Sequence, residues 1–244
     1  MTNQIKAITG FTLIELSITL IVMGLLASAA LSLYQPGQQL KAQLEMQQEL
    51  KKTTQSLINY ALRHYRLPCP DTDQDGYEDC ASSYNTGSIP FFTLGLNNKT
   101  AITNTASGVT NMIYGVYRDS AAPDKNLTFS QPSSLSSSIN DFITRLNNAL
   151  LALPTVNFPY VTGDGIYNAE NCINNFENMA FVIASAGGED RSGNGNPFDG
   201  INQNLAHNGN GANCFSSPIR PEDANYDDGV IAISFTAMLG YMGS

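Results

Sequence analysis

Gly10-Phe11-Thr12-Leu13-Ile14-Glu15 opens an apolar run that continues to Tyr34 and carries no charge other than Glu15. As an α-helix the run 11–34 is roughly 36 Å long, enough to cross a bilayer core of about 30 Å with some tilt. A carboxylate in such a span costs about 2.5–3.5 kcal/mol at the helix centre and less towards the ends. A group that expensive needs a partner, which makes Glu15 a candidate functional residue. The segment 1–10 is polar, carries Lys6 and no acid, and ends in Gly10.

This arrangement resembles the class III signal peptide of type IV pilins and type II secretion pseudopilins. The resemblance covers about residues 1–35 and rests on G-F-T-L-I-E followed by an uninterrupted apolar helix. Ordinary secretory signals are cut behind their apolar segment; in this family the cut precedes it. The resemblance therefore implies that a prepilin peptidase cuts between Gly10 and Phe11, that Phe11 becomes an N-methylated amino terminus, and that the helix is retained. It further implies an α+β, pilin-like fold, in which a long N-terminal helix, half of it transmembrane, packs on an antiparallel β-sheet head with long loops. The implied partners are other pilin or pseudopilin subunits, the peptidase, the inner membrane and an assembly platform.

Glu15 lies four residues after Phe11, about one helical turn along. When helices of neighbouring subunits stack, the Phe11 amine of one can meet Glu15 of the next. Each charge is costly alone among apolar side chains, so the pair serves as a register device more than as bulk stabilisation. Gly24, Ala27, Ser28, Ala29 and Ala30 form a small-residue face that permits close helix approach, although such a composition is also ordinary for a membrane helix.

Of the 244 residues, 12 are basic and 21 acidic. Loss of a leader containing Lys6 leaves 11 basic side chains against 21 acidic ones. That balance disfavours nucleic acid as a ligand, because phosphate binding relies on clustered Lys and Arg. Lys6 ahead of the span and an acidic body behind it fit a single-pass inner-membrane protein with a cytoplasmic N-terminus, later moved to the periplasm or a surface filament. The expected organisation is a leader at 1–10, a transmembrane and assembly helix at 11–34, its amphipathic continuation at 35–67, and a periplasmic or extracellular head at 68–244.

Pro36-Gly37 is expected to bend or briefly break the helix. Leu40, Leu44, Leu50, Leu57, Ile58, Ala61, Leu62 and Tyr65 then recur mostly at helical spacings, and Pro68 and Pro70 stop the helix near Arg66. Apolar runs at 113–117, 179–185 and 230–235 read as strands. A second helix is expected at 138–153, with Ile139, Phe142, Ile143, Leu146 and Leu150 on one face. Residues 82–111 read as loop or irregular strand. The stretch 187–214 holds seven Gly and seven Asn, which suits a tightly turning surface loop.

Cys69, Cys80, Cys172 and Cys214 all follow the apolar run. In an oxidising compartment they are expected as disulfides, and without C-x-x-C pairs or clustered His a zinc site is disfavoured. Three pairings exist; proximity in sequence favours Cys69–Cys80 with Cys172–Cys214. The first encloses Asp71-Thr72-Asp73-Gln74-Asp75-Gly76-Tyr77-Glu78-Asp79, which matches the opening of an EF-hand loop. Asp71, Asp73, Asp75, the Tyr77 carbonyl and Asp79 are the candidate calcium ligands. Ser82 stands where that motif has its bidentate Glu, so another segment has to complete the site.

A weaker acidic run, Asp223, Asn225, Asp227 and Asp228, precedes the last expected strand; it resembles the corresponding loop of several pseudopilins, including calcium-binding ones, and whether it holds metal is left open. Glu189, Asp190 and Asp199 read as ordinary surface acids. His64 and His207 stand apart, and no G-x-S-x-G, Walker loop or H-E-x-x-H is present, so no enzyme is expected. The expected function is a structural subunit, a minor pilin or pseudopilin; the alternative is an adhesin-like binding module displayed on such a filament.

Overall fold

The structure, a computed structural model, describes residues 12–96, 112–129, 138–162, 172 and 176–243. The chain divides into two compact units, Met1–Ala42 and Gln43–Ser244. One helix, α1 (Leu13–His64, 52 residues), supplies part of each. The break expected at Pro36-Gly37 is absent, since the helix covers both residues. A proline forfeits one backbone hydrogen bond, and the bonded turns on either side carry the helix across.

In the first unit the side chains of Leu13, Ile14, Leu16, Ile18, Leu20, Ile21, Val22, Met23, Leu25 and Leu26 are all exposed. The expected transmembrane half-helix is not seen, because no helix among the described residues is long and apolar enough to cross a membrane. Placement as a single-pass inner-membrane protein rested on that span and falls with it. Gly10 and Phe11 lie outside the described residues.

The second unit begins at Gln43 within α1. The helix ends at His64, where Tyr65 adopts a positive φ of 51° while its N–H still reaches the Ala61 carbonyl at 2.8 Å. Beyond it come β1 (Thr86–Ser88), β2 (Met112–Val116), α2 (Ile139–Leu150), β3 (Tyr160–Thr162), β4 (Phe176–Asn178), β5 (Phe181–Ser185), a 3-10 turn (Gly200–Asn204), β6 (Cys214–Phe215), β7 (Gly229–Ile233) and α3 (Phe235–Met242). One sheet runs β1-β2-β5-β7 with every pair antiparallel; a smaller one runs β4-β3-β6, with β3 parallel to β6.

Side-chain alternation on β2 and β5 sorts the core onto the two faces of the larger sheet. Met112, Tyr114, Val116, Phe181 and Ile183 pack with Leu50, Leu57, Ile58 and Ala61 of α1, Phe142 and Leu146 of α2, and Phe235 and Met238 of α3. On the other face Ile113, Val182 and Ala184 pack with Val161, Phe215 and the loop residues Phe198 and Leu205. Both faces being covered, these strands read as continuous apolar runs rather than alternating ones.

Two local departures have local causes. The run expected as one strand at 230–235 ends at Ile233, because Ser234 caps α3 by accepting the Ala237 N–H at 3.2 Å. α2 is capped by a reciprocal Ser138/Asp141 box, but its inner face carries Arg145 and Ala149 beside Phe142 and Leu146, and Leu150 is exposed. Arg145 turns inward because its guanidinium donates to the Phe129 and Tyr65 carbonyls, at 3.0 and 2.9 Å.

Candidate metal centre

Cys69 is bonded to Cys80 and Cys172 to Cys214. The first bridge closes the acidic loop 71–79. Asp71 is fully buried; its Oδ1 accepts the Gln74 N–H at 2.6 Å and its Oδ2 the Gly76 N–H at 2.8 Å. Burial pushes its pKa up, those two N–H groups pull it down, and the nearby Asp73 and Asp75 charges push it up again, leaving it raised. Gln74 and Gly76 hold positive φ, and a Cβ at position 76 would run into Phe91 and Phe92.

Asp71, Asp73 and Asp79 each bring a carboxylate oxygen within 4.8 Å of the others. Asp75 is not among them; its Oδ1 accepts the Tyr77 N–H at 2.7 Å. Asp79 accepts from both the N–H and the hydroxyl of Thr72 at 2.7 Å. Glu78 faces inward and binds Arg66, the Tyr60 hydroxyl and the Cys69 N–H. The loop is thus organised by its own backbone N–H groups.

A second cluster forms where three loop segments meet. Asp199, Asp227 and Asp228 are 0, 6 and 7% exposed, and one oxygen of each lies within 4.8 Å of the others. Asp228 Oδ2 accepts the Asp199 N–H (2.9 Å) and the Asn202 side-chain amide (3.0 Å). Asp199 accepts from the Ser192 and Asp227 N–H groups, at 3.1 and 3.2 Å. Asp227 Oδ2 accepts the Glu189 N–H at 3.1 Å and lies 3.5 Å from Arg191 Nε. Asp227 Oδ1 is buried and, among the described residues, accepts no N–H or hydroxyl hydrogen bond.

Burial, and after it a side-chain hydrogen bond with Asp199 that favours the protonated form, push Asp227 up to about 6 against the pull of Arg191. Burial pushes Asp228 up to about 7. Three carboxylates removed from water with one oxygen unsatisfied make an all-oxygen donor set of the kind that calcium takes. The residues therefore fit a divalent cation, with Asp199, Asp227 and Asp228 as its holders.

Asp199, which reads in sequence as a surface acid, is the most buried of the three. The signal that could have found it is Phe198 beside it, an aromatic within a Gly/Asn-rich stretch that anchors the loop in the core. Asp223 and Asn225 stand outside the cluster: Asp223 turns onto Tyr226 and its Oδ1 accepts the Asn225 N–H at 2.7 Å. His207 is largely buried with its Nδ1 3.0 Å from Ser88 Oγ, and burial lowers its pKa to about 4.

No protein-family model matches the chain, and no solved structure matches it. Over 98 residues, 40% of this chain, the sequence is 35% identical to the fimbrial protein EcpB of Eikenella corrodens. The match spans 58% of that relative's length.

Proposed function

We propose that this chain is a subunit of a fimbrial filament, assembling with other subunits through α1 and holding calcium in its head. The observation that carries the reading is the exposed apolar surface of α1 between Leu13 and Leu26. A contiguous apolar surface of that kind marks an interaction site rather than a face left to water. The likeness to a fimbrial protein supports neighbouring subunits as what covers it.

A prepilin peptidase cuts after Gly10 and leaves a methylated Phe11; Glu15 pairs with that amine across subunits; and the chain is a minor component, a minor pilin or pseudopilin. Calcium is taken first by Asp199, Asp227 and Asp228, where an orphaned oxygen supports it, and second by the loop 71–79 through Asp71, Asp73 and Asp79.

The test is to shear filaments from expressing cells and probe the released fraction for the chain. It should be present as a trace component, and Leu20→Asp with Met23→Asp should remove it from filaments while leaving cellular levels unchanged. Absence of the wild-type chain from sheared filaments, with normal expression, sinks the reading.

A further inference from the structure

Arg191 enters the buried acidic cluster as its counter-charge. Its Nε lies 3.5 Å from Asp227 Oδ2, and its side chain is only 15% exposed. The same guanidinium donates to the Asp223 carbonyl and the Glu222 carboxylate and sits 4.0 Å from Glu189. Glu222 in turn accepts the side-chain amide of Gln43 on α1. Arg191 is therefore held by a ring of acceptors that does not depend on Asp227.

The guanidinium does not complete Asp227. Oδ1 remains buried and, among the described residues, accepts no N–H or hydroxyl, and it occupies the space where a side chain at Gly187 would place its Cβ. A divalent cation brings two charges and several coordination positions to a site where one guanidinium meets one oxygen at the margin of ion-pair distance. Displaced from Asp227, Arg191 keeps Glu222 and the Asp223 carbonyl, so its release leaves no buried charge unpaired.

We propose that Arg191 is a built-in competitor for the cation at Asp199, Asp227 and Asp228, and so sets how tightly the head holds calcium. The inference rests on the cation reading above. Arg191 is a positioning and affinity-setting residue, not a ligand. In the cation's absence it neutralises part of the cluster; with a cation present its charge opposes binding.

The experiment titrates calcium into the detergent-solubilised full chain by calorimetry, comparing wild type with Arg191→Gln, Arg191→Lys, Glu222→Gln and Asp228→Asn, alongside melting curves in calcium and in EGTA. Arg191→Gln should tighten calcium binding by about ten-fold or more, the order expected for removing a like charge within several ångströms of a poorly solvated site. Arg191→Lys, which keeps the charge, should bind as wild type does. In EGTA Arg191→Gln should melt below wild type, and saturating calcium should close that gap.

Glu222 lies on the surface, so Glu222→Gln tests the idea even if Arg191→Gln does not fold. With the charge of its outer partner removed, Arg191 leans harder on Asp227, and calcium binding should weaken several-fold. Equal or weaker binding by folded Arg191→Gln, with the melting gap unchanged by calcium, overturns the inference and leaves the cation reading standing. Failure of wild type and Arg191→Gln alike to bind calcium, or binding that Asp228→Asn leaves intact, overturns both.

Discussion

Arg66 grips Glu78 at two points, Nη1 to Oε2 and Nη2 to Oε1, each at 2.6 Å. The pair fastens the segment leaving α1 to the disulfide-closed loop, and Glu78 adds the Tyr60 hydroxyl at 2.9 Å and the Cys69 N–H at 3.0 Å. Burial pulls the Glu78 pKa up, but Arg66, the Cys69 N–H and Tyr60 together hold it below the ordinary glutamate value. Glu78→Ala should cost about 3–5 kcal/mol in urea unfolding, because it strands a mostly buried guanidinium. Arg66→Ala should cost less, since Glu78 keeps its other two donors. A Glu78→Ala loss smaller than that of Arg66→Ala would contradict this ordering.

The loop 71–79 separates acids that hold the chain from acids that do not. Asp71, itself buried, satisfies the Gln74 and Gly76 N–H groups, the second of them buried, so Asp71→Asn should destabilise by about 1–3 kcal/mol with or without calcium. Asp75 is exposed and outside the converging set, so Asp75→Ala should stay within about 0.5 kcal/mol. Calcium at a few millimolar should raise the wild-type melting temperature, worth roughly 1–2 kcal/mol for a site of extracellular affinity. Asp228→Asn should remove the larger part of that rise and Asp73→Ala the smaller. Identical wild-type melts in calcium and EGTA would remove calcium from both sites.

His207 gives a pH dependence with a definite sign. Its folded pKa, about 4, lies below the ordinary value near 6.5, so between those values the unfolded chain binds more protons. Stability is thus lost as pH falls through that window. Asp227 and Asp228, raised to about 6 and 7, act oppositely: their folded forms bind more protons, so the same fall in pH favours folding. His207→Asn should isolate the first effect. In EGTA it should gain about 1–2 kcal/mol on wild type between pH 7.5 and pH 5. An unchanged difference across that range would show that His207 titrates normally.

Glu15 sits in the first turn of α1, with its N–H on the Thr12 carbonyl at 3.1 Å and its side chain exposed. Glu15→Val should express at wild-type levels and be under-represented in sheared filaments, on the order of ten-fold. Wild-type incorporation of the variant would show that an amine–carboxylate pair does not set subunit register here.

Much of the head's frame can be read from residue order. The runs containing Ile113, Val182 and Val230 become the core strands because they are apolar, short and bounded by Gly or Asn. Ser138 with Asp141 marks the start of α2 by cap chemistry. The start of α3 is equally explicit at Ser234 with Phe235, Met238 and Met242 at helical spacing, but it directly abuts a strand, and period-2 and period-3.6 patterns blur where they join. β1, β3, β4 and β6 have two or three residues each, too few to show any period. The acidic loop between Cys69 and Cys80 is local, so its Asx turns follow from spacing. The buried cluster is not local: Asp199 and Asp228 are joined by a fold that brings Gly187, Asn202 and Tyr226 around them, and no short pattern encodes that meeting. The membrane span read from the apolar run met a different limit, since apolar composition describes what a helix avoids, not what covers it.

The two disulfides set how far the head can be drawn out. Tension along α1 would reach the chain just past His64, and Cys69–Cys80 lies immediately beyond, followed by Cys172–Cys214. The bridges span separations of 11 and 42 residues. At about 3.5 Å per residue they withhold roughly 40 and 150 Å of extended chain. A pulled head that loses every strand and helix still cannot release that slack, so its force-extension curve should end short by the same lengths and recover them only in reductant.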